Sequence, residues 1–133
     1  MDKLNAFLAK DKLELTEDIV ISDRFCENGE PVKWQIRRIS EAENRELRRT
    51  VPCNSNGVGV DYDLYLLRLA SACTLYPDLK SASLQSAYGV RGEASLLEAM
   101  LLPGEYAQLL SAVKRINGFD ESYSKLASEA KKS

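Results

Sequence analysis

Histidine is missing from all 133 residues of this chain. That absence removes the commonest general base near neutral pH, the usual base of a catalytic triad and the commonest metal ligand. Cysteine is scarce: Cys26, Cys53 and Cys73 are an odd number at wide spacing, with no C-x-x-C pair. Such a pattern reads as reduced thiols of a cytosol, not as a disulfide framework. Cys73 falls in an apolar helical stripe, where a thiol behaves as a small hydrophobe, whereas Cys53 lies in a polar loop. Neither has the basic neighbour that would argue for a nucleophile. An excess of one charge is also lacking: 18 basic and 20 acidic residues leave a net charge of −2. That gives no reason to expect nucleic acid or an anionic membrane as a partner. No apolar run approaches the ~18 residues that cross a bilayer. The opening MDKLNAFLAKDK lacks the apolar core and cleavage site of a signal peptide. The expectation is a soluble protein that stays inside the cell that makes it, with no catalytic, cofactor-binding or metal-ligating residue in view.

What is present is strong punctuation. The length suits one domain over residues 1–133, with an arm at 1–12, a core at 13–119 and a polar tail at 120–133. In the arm, Leu4, Phe7 and Leu8 stand at i, i+3 and i+4, the spacing of a short amphipathic helix that docks on its own core or on a neighbouring subunit. Next, Ile19, Ile21 and Phe25 alternate with mainly polar residues, Asn28-Gly29 supplies a turn, and Val32, Trp34 and Ile36 alternate on the return. This is a β-hairpin signal. Centred on Asn28-Gly29, it sets Phe25 opposite Val32 and Ile21 opposite Ile36 on a buried face, and Ser22 opposite Gln35 and Val20 opposite Arg37 on the other. A lone hairpin is marginal in water, so its apolar face must cover helices.

Ser40 with Glu43 matches a capping box, opening a helix over residues 41–49 in which Glu41 and Arg45 share a face. Residues 33–49 carry six basic and three acidic side chains, whereas the first 32 residues carry four and eight. Interleaved glutamates favour a solvated helix, or complementarity with the acidic first strand, over a nucleic-acid patch. Residues 52–59, PCNSNGVG, form a loop by composition. Asp61 or Asp63 then caps a helix to about residue 74. Tyr65, Leu66, Leu67, Leu69, Ala70 and Cys73 cover more than half of its circumference, leaving mainly Leu64, Arg68 and Ser71 outside. Such a helix is either central or completed by a partner. Further stripes run through Leu96, Leu97, Met100 and Leu101, and through Tyr106, Leu109, Leu110, Val113 and Ile116. Gly89 and Gly118 stand where left-handed helix caps are wanted, and Leu102-Pro103-Gly104 separates two helices.

Constellations that could carry chemistry are weak. Asp61-Tyr62-Asp63 with Asn54 and Asn56 could offer oxygens to a hard cation, but the spacing fits no calcium loop and helix capping explains it better. Gly57-x-Gly59 lacks the rest of a dinucleotide fingerprint. Gly89-Val90-Arg91-Gly92 has the form of a KH-domain G-x-x-G loop, yet the strands that such a domain needs are not there.

One longer pattern remains. The segments Tyr88-Gly89-Val90, Met100-Leu101-Leu102-Pro103-Gly104-Glu105-Tyr106 and Ile116-Asn117-Gly118-Phe119 resemble the signature of the XkdN-like phage tail assembly chaperones. The resemblance continues through EDIVISDRF and PVKWQIRRISEAENRELRR within residues 17–49 and through CTLYPDLK at 73–80. It spans residues 14–119, with no anchor at 51–60 or after Asp120. It implies a non-enzymatic chaperone made in the cytoplasm of the bacterial host, binding the tape measure protein, helping to recruit tail tube protein, and absent from the mature virion. The competing class is an interaction module without chaperone activity, either a structural tail component or a nucleic-acid-binding adaptor. Physical pattern and resemblance together lead to an α+β fold, an N-terminal antiparallel β-hairpin packed on about four or five helices. On the apolar surplus of the helix around Tyr65, Leu66 and Leu69, and of the stripe Leu96, Leu97, Met100 and Leu101, these seven residues are the expected partner-binding set. The occupant is an apolar helix of the tape measure protein or of another copy of this chain.

Overall fold

Asn28 (φ 54°) and Gly29 (φ 81°) both adopt the left-handed conformation that a two-residue hairpin turn requires. Around that turn, in a computed structural model that describes residues 3–53 and 61–119, two short strands pair: β2 (Cys26–Glu27) with β3 (Glu30–Pro31). The amide of Val32 donates to the carbonyl of Phe25 at 2.7 Å, so the tip follows the expected register. Further out the register changes. Strand β1 (Thr16–Ile19) pairs antiparallel with β4 (Trp34–Arg37), placing Ile19 opposite Trp34, Asp18 opposite Gln35, Glu17 opposite Ile36 and Thr16 opposite Arg37. The expected partners Ile21 with Ile36, Ser22 with Gln35 and Val20 with Arg37 are therefore corrected. Residues between β1 and β2 leave the ladder because Arg24 is drawn to Glu105 and to the carbonyl of Met100. The shift is four residues, an even number, so the apolar face is preserved. Trp34 and Ile36 are fully inside, Ile21 is buried and Phe25 meets Trp34 edge-on at 5.6 Å.

Two turns of chain precede this sheet: a 3-10 turn at Lys3–Phe7 and α1 (Lys10–Leu13). Neither contributes a buried residue, and Phe7 is 82% exposed. The apolar side chains of the amphipathic arm thus stay out of the core, although the Lys12 carbonyl accepts from Arg38.

After β4, helix α2 (Glu41–Arg49) starts where Ser40 accepts a hydrogen bond from the amide of Glu43 at 3.2 Å. Helix α3 (Tyr62–Cys73) starts at Asp61, whose Oδ1 accepts from the amide of Leu64. Its interior lacks Gly and Pro, and it touches α2 and two helices later in the chain, which makes it the central helix. Ser71, expected outside, is buried: its hydroxyl donates to the carbonyl of Leu67 at 2.8 Å, which satisfies the polar group without water. At Thr74 the chain turns extended and forms β5 (Thr74–Tyr76), a third strand on β4 in the order β1-β4-β5. Pro77 disfavours helix at Tyr76, and β4 offers an unpaired edge.

Helices α4 (Ala82–Ala87), α5 (Glu93–Met100) and α6 (Pro103–Ile116) complete the chain. Gly89 (φ 66°) and Gly118 (φ 81°) are left-handed as expected. At the second, the amide of Gly118 donates to Arg115 and that of Phe119 to Lys114, the paired bonds of a Schellman cap. The fold is α+β, an antiparallel sheet near the N-terminus and six α-helices among the described residues, mostly C-terminal. The tail at 120–133, residues 54–60 with Asn54, Asn56, Gly57 and Gly59, and the first two residues lie outside the described residues.

Candidate functional site

Between the first turns of α3, the end of α5 and the start of α6 lies a groove enclosing about 600 Å³. Each helix arrives there for a local reason. Asp61 caps α3, Gly92 (φ 96°) precedes α5, and Pro103 fixes the first turn of α6 while Glu105 Oε1 accepts from the amide of Leu102 at 2.8 Å. The apolar wall is formed by Leu64, Leu66, Leu67, Leu101, Tyr106 and Leu110, and Asp61, Asp63 and Glu98 also line the groove.

Of the seven expected partner-binding residues, only Leu66 and Leu101 reach this wall, and both are themselves buried, each 9% exposed. Leu69, Leu96 and Leu97 are entirely inside, and Tyr65 and Met100 are buried. The two stripes close mainly on one another, because a helix covered on more than half of its circumference is satisfied by α2, α5 and α6 together. Tyr65 also donates its hydroxyl to Asn44 Oδ1, tying α3 to α2. Tyr106 and Leu110 are only half-buried. Sequence spacing assigned them to the stripe of α6, and nothing in it signals that the N-terminal end of that stripe opens outward.

The junction of α5 and α6 is braced from the far end of the chain. Arg24 grips the Glu105 carboxylate with two bonds, 2.9 Å from Nε and 2.5 Å from Nη2, and its Nη2 also donates to the carbonyl of Met100 at 2.9 Å. The Arg24 guanidinium, the Ser22 hydroxyl and the amide of Leu102 together hold the Glu105 carboxyl down to about 2. A Pro at the first and a Glu at the third helical position are visible in the sequence as a helix start; the partner Arg24 is not. Burial raises the Tyr106 phenol, and the negative charges of Asp63 and Glu98, which line the same groove, raise it further.

The basic run at 33–49 is largely spent within the fold. Arg37 pairs with Glu43, Arg48 with Glu41 and Arg49 with Glu46. Glu41 accepts from Arg48 and Asn44, while Arg45 on the same face acts on it through charge without a hydrogen bond. Arg38 donates to the carbonyls of Ile116 and Lys12, capping the end of α6. Burial pushes the Cys73 thiol up to about 11, while Cys26 and Cys53 are exposed. Among the described residues no helix is long and apolar enough to cross a membrane, and no cluster of carboxylates and thiols is arranged to hold a metal.

Comparison with known proteins sets this arrangement in a class. Residues 4–131 match the family described as phage XkdN-like tail assembly chaperone protein. The chain belongs to that family, which is one of assembly chaperones and not of known enzymes. It is 30% identical over 137 residues to the phage-like element PBSX protein XkdN of Bacillus subtilis strain 168, covering 96% of this chain and 93% of that protein. It is also 30% identical to YqbN of the same strain, over 96% of this chain and 92% of that protein. A crystal structure of YqbN superimposes with a TM-score of 0.70 at 28% identity, over 80% of this chain and 87% of that one.

Proposed function

We propose that this protein is a chaperone of phage tail assembly that binds the tape measure protein, keeps it soluble and helps to bring tail tube protein to it. It acts in the cytoplasm of the bacterial host and is left out of the finished virion. The observation that carries this reading is the groove between α3, α5 and α6, apolar along its wall and open to the outside, in a member of a tail assembly chaperone family. A groove of this kind suits an amphipathic helix laid along it. A tape measure protein is a long, largely helical chain with apolar faces, and many copies of a small binder would coat it. Burial at about 25 cal/mol per Å² makes on the order of 300 Å² of covered apolar surface worth roughly 7 kcal/mol before association costs. Single contacts are then weak, and repeated contacts along one chain supply the retention.

The experiment is co-expression with the cognate tape measure protein, followed by centrifugation and size-exclusion chromatography. The reading predicts that the tape measure protein moves to the soluble fraction and co-elutes with this chain. Equal pelleting with and without this chain, and no co-eluting complex, would refute it.

A further inference from the structure

The charge of the groove narrows what it can hold. Asp61 and Asp63 come from the start of α3 and Glu98 from the last turn of α5. None of the three takes part in the ion pairs found among the described residues. Asp61 is occupied as the cap of α3, and Asp63 sits where a helix dipole favours a carboxylate. Glu98 has neither explanation: it stands at the end of a helix where the dipole disfavours negative charge. Together with these carboxylates, the groove is lined by the apolar side chains of Leu64, Leu66, Leu67, Leu101 and Leu110.

An occupant that is only apolar would cover these carboxylates and strip their water without offering a partner. An occupant with acidic flanks would add repulsion between like charges. Lysine or arginine flanks answer both problems, since their methylene stems lie along the apolar wall while the cationic heads meet the rim. We infer that the groove selects an amphipathic helix from a partner protein, one whose apolar stripe is bordered by lysine or arginine. This rests on the chaperone reading above and specifies which segments of a long partner the protein takes. The amphipathic helices α3, α5 and α6 of this chain are consumed by its own core, so the partner is a different protein. A second copy's arm, with Lys3, Lys10 and Lys12 around the exposed Phe7 and Leu8, is the rival occupant.

The test uses two synthetic helical peptides of about 18 residues with one leucine stripe, flanked by lysines in one and by glutamates in the other. Fluorescence anisotropy with the full chain at low ionic strength should show the lysine peptide bound on the order of tenfold to a hundredfold more tightly, at about twofold to fivefold per carboxylate. The preference should shrink at ~0.5 M salt. Asp63→Lys combined with Glu98→Lys should reverse it; Asp63→Asn with Glu98→Gln, kept in case the reversal variant does not fold, should reduce it severalfold. Glu27→Lys with Glu30→Lys, at the exposed hairpin tip, makes the same change in net charge and should leave the preference intact. Equal affinity for the two peptides, or an equal loss in the hairpin-tip variant, overturns the inference. So does self-association of the wild type that the groove variants abolish, since the occupant would then be a second copy. Co-expression separates this failure from that of the chaperone reading. A tape measure protein kept soluble equally by wild type and the charge-reversal variant removes the charge rule alone, whereas one that the wild type does not keep soluble removes the function.

Discussion

Replacing Trp34 by alanine removes the largest fully enclosed side chain of the sheet, 2% exposed and packed edge-on against Phe25. A buried tryptophan withdraws about 150–250 Å² from water, which at 25 cal/mol per Å² corresponds to roughly 4–6 kcal/mol. The unfolded chain already covers part of that area, and the cavity relaxes in part, so the expected loss is about 3–5 kcal/mol. For a domain of this size each kcal/mol lowers Tm by roughly 3–4 °C, so the variant should melt about 10–20 °C below wild type. Trp34 is the chain's one tryptophan, so the melt is followed by far-ultraviolet circular dichroism rather than fluorescence. Gln35→Ala, on the opposite face of β4 and only half-buried, is the control and should stay within about 0.5 kcal/mol. A Trp34→Ala protein that melts within a degree or two of wild type would refute the placement of this face against the helices.

Three further outcomes are expected. The Glu105 carboxyl is held at about 2 in the folded protein, below its value in the unfolded chain, so its contribution is fully present above the usual carboxylate range and is lost as pH falls towards 2. Glu105→Gln should flatten that acid limb in a pH series of denaturant melts, and an unchanged limb would contradict the ionised pairing with Arg24. Asn117 accepts from the amide of Ile39 at 2.8 Å and donates to the carbonyl of Val113 at 2.9 Å and that of Arg37 at 3.3 Å, joining the end of α6 to β4. Asn117→Ala takes the acceptor from the Ile39 amide, while the Val113 carbonyl keeps the backbone amide of residue 117, and should cost about 1–3 kcal/mol in urea unfolding. Gly89→Ala and Gly118→Ala meet no atom within 4 Å of the added methyl, so backbone strain alone acts, and each should lose roughly 1 kcal/mol; melts unchanged at both would overturn the left-handed caps.

Local chemistry determined much of this protein without help from distant parts of the chain. Ser40 and Asp61 as helix caps, Asn28-Gly29 as a turn, Gly89 and Gly118 as left-handed stops and Pro103 as a helix start all act within about four residues of themselves. The alternation through Trp34 and Ile36 likewise marks its buried face, since side-chain direction in a strand has a period of two. The hairpin register beyond the tip did not follow from such rules, because any even shift satisfies the same alternation; Arg24 reaching Glu105, 81 residues away, selects among them. Thr74 to Tyr76 became a strand because β4 presented an edge. The same limit applies to the groove. Spacing identifies which residues of α3 and α5 are apolar, but whether Leu69 and Leu97 face a partner or each other depends on how closely two helices approach. Only the packed structure decides that, burying the stripes in the core and leaving the half-buried Tyr106 and Leu110 beside Leu66 and Leu101 along the groove.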